Sequence, residues 1–256
     1  MTTNSSSSGE DIVHAPHPPL TEYYECEADR REWVGAQFDS TASDYDRMER
    51  ILGLGTGSIY RRKTLENAGL QPGMQMLDVG MGTGLVTKQA VRILGDASRV
   101  TGVDPSAGMI RNAKLPPGVT VVEGRAESIP LANSAYDFLS MGYSLRHISD
   151  LSDAFAEFHR VLKPGGKVCI LEITHPKGTI ATALLKGYCK YAVPALAKLI
   201  AKNRDTAQLW RYYWDTIEAC AAPEKVLHTL KSVGFVNVRR TVDLGIFSTY
   251  LANKPS

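Results

Sequence analysis

From Met74 onward, short apolar runs alternate with longer segments whose apolar residues recur every three or four positions. The first run, Met74–Val79, leads into Gly80-Met81-Gly82-Thr83-Gly84, and Leu85–Leu94 follows with helix-like content. Arg99–Val103 reads as a second strand ending in Asp104, Val119–Glu123 as a third, Tyr136–Met141 as a fourth, and Lys167–Ile173 as a fifth, rich in β-branched residues. Ser106–Ala113 suits a helix capped by Ser106 or Asp104. Asp150 caps another helix, whose apolar positions Leu151, Ala154, Phe155, Phe158, Val161 and Leu162 fall at i, i+3, i+4, i+7. Lys163-Pro164-Gly165-Gly166 stops it, because proline cannot continue a helix and glycine supplies the turn. Gly178–Ala222 breaks this rhythm: it is helical in composition and carries Trp210 and Trp214. Pro223–Val233 predicts a last helix with proline in its first turn, and Phe235–Arg240 and Leu244–Leu251 predict a closing antiparallel hairpin.

Strands alternating with helices pair in parallel, so the pattern predicts an α/β fold. The expected architecture is a doubly wound, mostly parallel, seven-stranded Rossmann-like sheet with an antiparallel C-terminal hairpin and a helical cap. The expected organisation is a disordered tail over 1–20, an N-terminal helical cap over 21–70 and the main domain over 71–256. Within that domain an insertion, 178–222, roofs the carboxyl edge of the sheet. In the N-terminal cap Phe38, Ala42, Tyr45 and Met48 fall near helical spacing, and Arg61, Arg62 and Lys63 form a short basic cluster.

Composition narrows the function classes. The 256 residues are 43% hydrophobic, enough for one sizeable core. Net charge is +2, with 29 basic against 27 acidic residues, so there is no electrostatic case for nucleic acid. No apolar run is long enough to span a bilayer, and MTTNSSSSGED has neither the basic start nor the apolar segment of a secretory signal. Cys26, Cys169, Cys189 and Cys220 are scattered without metal-ligand spacing, and His14 and His17 lie in a Pro-rich tail. A reduced, cytoplasmic chain with free thiols and no bound metal is the expectation.

The glycine loop carries the chemistry. A strand running through glycines into a helix leaves an open backbone and a helix N-terminus where α/β sheets bind small ligands. The dinucleotide fingerprint G-x-G-x-x-G requires a third glycine at position 85 or 87, which are Leu85 and Thr87. That disfavours the alternative of a nicotinamide-dependent oxidoreductase. The phosphate-loop pattern also fails, since no Gly-Lys-Ser/Thr follows. Asp78 would suit an amine rather than a pyrophosphate; its other reading is that it orients loop amides. Asp104 ends the next strand, where a carboxylate takes both ribose hydroxyls. A ligand with a ribose, an amine and no demand for phosphate recognition is S-adenosylmethionine.

On Leu77-Asp78-Val79-Gly80-Met81-Gly82-Thr83-Gly84 and on Asp104 in VTGVDPS, the chain resembles the class I S-adenosylmethionine-dependent methyltransferases. It is more closely similar to the C-methyltransferases of ubiquinone and menaquinone biosynthesis. That likeness rests on Phe38–Met48, Ser144–Asp150, His159–Ile173 and Tyr212–Ile217. It implies S-adenosylmethionine as cofactor, held by Tyr45, Asp78, Gly80, Met81, Gly82, Gly84, Asp104, Pro105, Arg125, Ala126 and Met141. Three segments depart from the family pattern: Gly124-Arg125-Ala126-Glu127 where Gly-Asp-Ala-Glu is usual, His147 where Asn is usual, and Glu172-Ile173-Thr174-His175-Pro176 for Glu-Phe-Ser-Lys-Pro. Arg125 cannot accept from the adenine amino group as aspartate does, but Ala126 still offers its backbone N–H.

The expected reaction is methyl transfer to a hydrophobic small molecule, at a phenol or quinol ring carbon, with O-, N- or S-methylation of another metabolite as the alternative. Arg146 and His147 are the catalytic candidates: a neutral histidine accepts the hydroxyl proton, or an arginine stabilises the phenolate. The resemblance implicates the arginine; its other reading is a salt bridge to Asp150 or Asp153. His175, Tyr188, Tyr212, Tyr213 and Trp214 are the candidate acceptor-binding residues. The segment Ile180–Lys202 is apolar with spaced lysines; it reads as a cap helix, or as a surface for peripheral membrane contact. A second copy of the chain, in a homodimer, completes the candidate partners.

Overall fold

The computed structural model describes residues 15–256 apart from Leu54. Two helices, α1 (Glu27–Leu52) and α2 (Gly57–Asn67), precede the alternation. It then runs β1 (Met76–Val79), α3 (Leu85–Leu94), β2 (Val100–Asp104), α4 (Ala107–Asn112), β3 (Thr120–Glu123), β4 (Tyr136–Gly142), α5 (Leu151–Val161) and β5 (Leu162–Ile173). The insertion holds α6 (Thr179–Lys186), a π-helical stretch Gly187–Ala192, α7 (Val193–Ile200) and α8 (Thr206–Ala219). The chain closes with α9 (Pro223–Ser232), β6 (Val236–Asp243) and β7 (Phe247–Asn253). The sheet order is β3-β2-β1-β4-β5-β7-β6. The first five strands are parallel, and β7 enters antiparallel between β5 and β6.

Successive side chains along each strand point to opposite faces of the sheet and divide the core into two layers. Leu77, Val79, Leu139, Met141, Val168 and Ile170 face one layer, packed with Leu151, Ala154, Phe155 and Phe158 of α5. Met76, Phe138, Cys169 and Leu171 face the other, packed with Val86, Ala90 and Leu94 of α3 and with Leu65 of α2. Helices cover both faces, so all four residues of β1 are buried. The capping logic holds: Asp150 accepts from the N–H groups of Ser152 and Asp153, and Ser106 from that of Met109.

Several boundaries differ from the expected ones. Lys163–Gly166 does not separate helix from strand but bulges within β5: Tyr136 pairs with Leu162 and Phe138 with Lys167, five residues on. The hairpin turn falls at Leu244-Gly245, both with positive φ, so β6 runs on to Asp243. Residues 1–14 lie outside the described part. The rest of the expected tail is packed: the Ala221 N–H donates to the Pro16 carbonyl, Lys225 Nζ to the Ala15 carbonyl, and His17 is buried. The 21–70 segment also divides. α2 joins the α3 side of the core, and only α1 belongs to the roof. There Asp44 accepts from the backbone N–H groups of Lys202 and Asn203 at 2.8 Å, binding α1 to the insertion.

Candidate active site

Strand order reverses between β2-β1 and β4-β5, and the crevice at such a switch point is the expected ligand site of an open α/β sheet. A cavity of about 250 Å³ opens there, walled by α1 and Tyr213 of α8 opposite the strand ends. Gly80, Gly82 and Gly84 all have positive φ, which explains three glycines in five residues. A Cβ at Gly80 would come within 2.7 Å of the Ser144 side chain. The Gly80 and Met81 N–H groups donate to the Val103 carbonyl at 2.8 and 3.1 Å, tying the loop to β2.

Asp104 lies at the end of β2, 6% exposed, lining the cavity. Its Oδ2 accepts from the Gly82 N–H at 2.7 Å and its Oδ1 from the Ser106 N–H at 2.8 Å, so loop and carboxylate orient each other. Burial raises its pKa to about 6, against the lowering effect of those two N–H groups. The ionised form offers the acceptor lone pairs a ribose diol needs. As pH rises through 6 this carboxylate forms, and nucleoside affinity should rise. Calorimetric titration of S-adenosylhomocysteine should give a dissociation constant about tenfold weaker at pH 5 than at pH 7. Asp104→Asn should abolish that transition, and its persistence in the variant would assign it elsewhere.

Eleven of the expected residues line this cavity: Tyr45, Gly80, Met81, Gly82, Asp104, Pro105, Arg125, Ala126, Met141, His147 and Tyr213. His147 is half-buried among aromatic rings, with Phe38 edge-on at 5.2 Å and Tyr212 stacked at 5.6 Å. Neither ring nitrogen has a partner among the described residues. Burial, reinforced by the positive charges of Arg146 and Arg30, holds its pKa well below the usual histidine range, so it is neutral at pH 7. The Tyr45 and Tyr213 hydroxyls meet at 2.5 Å beside it.

Seven expected site residues do not line the cavity. Asp78 is fully buried on the α3 side of β1, accepting from Thr87 Oγ1 and Ser140 Oγ, both at 2.6 Å. It fastens strand to helix and lies outside the cavity lining. Gly84 starts α3, where a Cβ would strike Leu115. Arg146 is fully buried behind Tyr213, with its guanidinium carbon 4.4 Å from that ring centroid. Its partner is neither Asp150 nor Asp153: Nη1 donates to Glu172 Oε1, and Nε to Thr216 Oγ1 at 3.1 Å. Adjacent helical positions point about 100° apart, so of the α8 aromatics Tyr213 faces the cavity. Tyr212 backs His147, and Trp214 turns away to donate to Glu218 Oε2 at 3.2 Å. His175 is exposed, edge-on to Trp214, and Tyr188 is 45% exposed and donates to the Leu52 carbonyl.

Residues absent from the expected set complete the lining. Arg31, Val34, Gly35 and Phe38 of α1 do so at positions 0, 3, 4 and 7, a helical face that continues to Tyr45. Extending the Phe38–Tyr45 spacing toward the N-terminus finds them. Glu127 accepts from the Ser149 N–H, and Arg125 donates to Ser149 Oγ at 3.0 Å and to Glu127 Oε1 at 3.3 Å. Tyr143, in the left-handed region at φ 62°, and Arg61 of α2 carried no such signal.

The chain matches the family model described as the ubiE/COQ5 methyltransferase family over residues 26–254. It is 30% identical over 227 residues to the ubiquinone/menaquinone biosynthesis C-methyltransferase UbiE of Shewanella halifaxensis, covering 86% of this chain and 89% of the relative. It is 29% identical over 231 residues to the demethylmenaquinone methyltransferase of Staphylococcus aureus, covering 88% and 94%. Its fold is similar to that of a SAM-dependent methyltransferase of Thermotoga maritima, with a TM-score of 0.61 at 18% identity, over 86% of this chain and 99% of that one.

Proposed function

The chain belongs to the ubiE/COQ5 methyltransferase family, and from that premise we propose that it methylates a ring carbon of a lipophilic quinol or phenol. It is an S-adenosylmethionine-dependent enzyme. Its residues suit that cofactor: a buried carboxylate on Asp104, side-chain-free backbone at Gly80 and Gly82, and a buried Arg61 Nε with no partner among the described residues. Asp104 would hold the ribose and Ala126 the adenine ring. When bound, the cofactor supplies an already activated methyl group.

The observation that carries the acceptor reading is His147, a neutral imidazole with no partner among the described residues, in a wall of Phe38, Tyr45 and Tyr213. Such a group receives one hydroxyl of an otherwise apolar ring and fixes which ring carbon faces the donor. Alignment of this kind contributes several of the ~7–11 kcal/mol available from proximity. His147 would take up the hydroxyl proton while the ring carbon gains the methyl that the cofactor supplies; loss of the C–H proton from that carbon then restores the aromatic ring and its hydroxyl, so one proton is released overall. The burial of His147 beside Arg146 disfavours the imidazolium, so the hydroxyl proton passes on to water. The relatives' names, which specify quinone C-methylation, support the same acceptor class.

Access to a lipophilic acceptor is the role we assign to α6–α7. Ile180, Leu184, Tyr188, Tyr191 and Leu199 are exposed along it, at 77, 70, 45, 64 and 83%. No acidic residue occurs from His175 to Arg204, whereas Lys177, Lys198, Lys202 and Arg204 are exposed. No helix among the described residues is long and apolar enough to cross a membrane, so contact would be with the surface of an anionic bilayer. One assay tests both statements. Incubation with quinols, phenols, thiols and amines should yield a ring-methylated quinol by product mass and position, with turnover of isoprenylated acceptors raised by anionic vesicles. Methylation at oxygen, nitrogen or sulfur would overturn the acceptor reading, and indifference to vesicles the surface reading.

A further inference from the structure

We propose that Arg61 holds the carboxylate of the methyl donor's amino-acid tail. The inference rests on S-adenosylmethionine being the donor and adds to that reading a residue outside the glycine loop.

The polar groups of the cavity sort by strand. Asp104 ends β2 and Ser106 follows it, and Arg125 and Glu127 follow β3; these form the side suited to ribose and adenine. On the opposite side of β1, Tyr143 follows β4, and Arg61 reaches over its ring from α2 with the guanidinium carbon 5.3 Å from the centroid. α2 packs along α3, the helix that springs from the glycine loop. Arg61 therefore stands at the far end of the cavity from the nucleoside groups, where the amino-acid tail of the donor must lie.

Arg61 is incompletely satisfied. It is 6% exposed, donates from Nη1 to Glu49 Oε1 at 2.7 Å, and leaves Nε buried with no partner among the described residues. Glu49 does not line the cavity. It engages one guanidinium nitrogen and leaves Nε for a ligand. A buried N–H without an acceptor is costly, and a carboxylate is the anion whose geometry a guanidinium matches.

The neighbouring cations are directed elsewhere. Arg30 Nη2 donates to the Arg146 and Ile148 carbonyls at 3.0 and 2.8 Å, and Arg31 and Arg125 converge on Ser149 Oγ. A second observation is the backbone beneath Arg61. Tyr143 is held at φ 62°, unfavourable for a tyrosine, with its N–H on the Leu171 carbonyl at 2.7 Å. That conformation sets its ring beneath the guanidinium.

The test is calorimetric and needs no acceptor. Full-length protein, Arg61→Met and Arg61→Lys are titrated with S-adenosylhomocysteine and with its decarboxylated analogue, 5′-S-(3-aminopropyl)-5′-thioadenosine. The unsubstituted protein should prefer S-adenosylhomocysteine by about 10- to 100-fold, as expected for a charge-assisted hydrogen bond. Arg61→Met should lose that preference by weakening S-adenosylhomocysteine alone, and Arg61→Lys should retain part of it. Equal weakening of both ligands, or of neither, overturns the assignment. Should Arg61→Met fail to fold, equal affinity of the unsubstituted protein for the two ligands, or full preference kept in Arg61→Lys, overturns it as well. Failure of the unsubstituted protein to bind S-adenosylhomocysteine at all would sink the donor reading instead.

Discussion

Asp104→Ala should weaken S-adenosylhomocysteine binding by roughly 100-fold or more, the largest effect expected of any single cofactor contact. In the proposed ribose contact, two hydroxyls lose an ionised acceptor, and a hydrogen bond to a charged group contributes roughly 1.5–3 kcal/mol each. The variant also removes the partner of the Gly82 N–H, so the loop loses its brace. Asp104→Asn keeps the shape and one oxygen and should lose less. Stability should hardly change at pH 7, because a carboxylate whose pKa burial has raised to about 6 is there ionised at a cost to the fold. Calorimetry of binding and a thermal melt check the two statements. Affinity within threefold of the parent would remove Asp104 from the ribose site.

Arg146→Ala should lower the melting temperature by roughly 6–20 °C. It leaves Glu172, 1% exposed, as an uncompensated buried charge, for which about 3–5 kcal/mol is typical, and a chain of this size shifts about 2–4 °C per kcal/mol. Burial already raises the Glu172 pKa against the lowering effect of Arg146, so the lone carboxyl would take up a proton at a higher pH still. The double variant Arg146→Met/Glu172→Leu should recover most of the loss, since a buried pair replaced by apolar residues is often neutral or better. Turnover separates the two roles of the arginine. Tyr213 lies between Arg146 and the cavity, so a stable but inactive double variant would mean that the guanidinium acts through the Tyr213 ring. A single variant that melts with the parent would show the pair to be energetically idle.

These predictions depend unequally on what was legible in the chain. Asp104 could be found by counting twenty residues on from Gly84 to the end of the next apolar run. The helix after Asp150 could be found from its i, i+3, i+4, i+7 face. Both are local: period, cap and spacing are properties of a few consecutive residues, and only the far end of that helix, where Leu162 pairs with Tyr136, was set from elsewhere in the chain. Asp78 was legible as important but not as buried, because one position along a strand exchanges the two faces of the sheet. The α8 aromatics show the same limit on a helix. Tyr212, Tyr213 and Trp214 are chemically alike and consecutive, and only the packing of α8 against α1 selects Tyr213 for the cavity.

By itself the sequence determined the alternating α/β plan, the glycine turn at the end of β1, the acidic end of β2 and, through these, the class of donor. Glycine count and apolar period act over one turn or one strand, so distant contacts shift an element's boundary, as Tyr136 draws Leu162 into β5, more than its type. Only the tertiary structure decided the rest: that Arg146 pairs with Glu172 from 26 residues away, and that His147 stands, with no partner among the described residues, in an aromatic wall drawn from α1 and α8. It also decided that Arg61, one of three adjacent basic residues, is the one turned inward over Tyr143. These are outcomes of which surfaces bury one another, and that is settled by the packing of whole elements rather than by the residues beside each site.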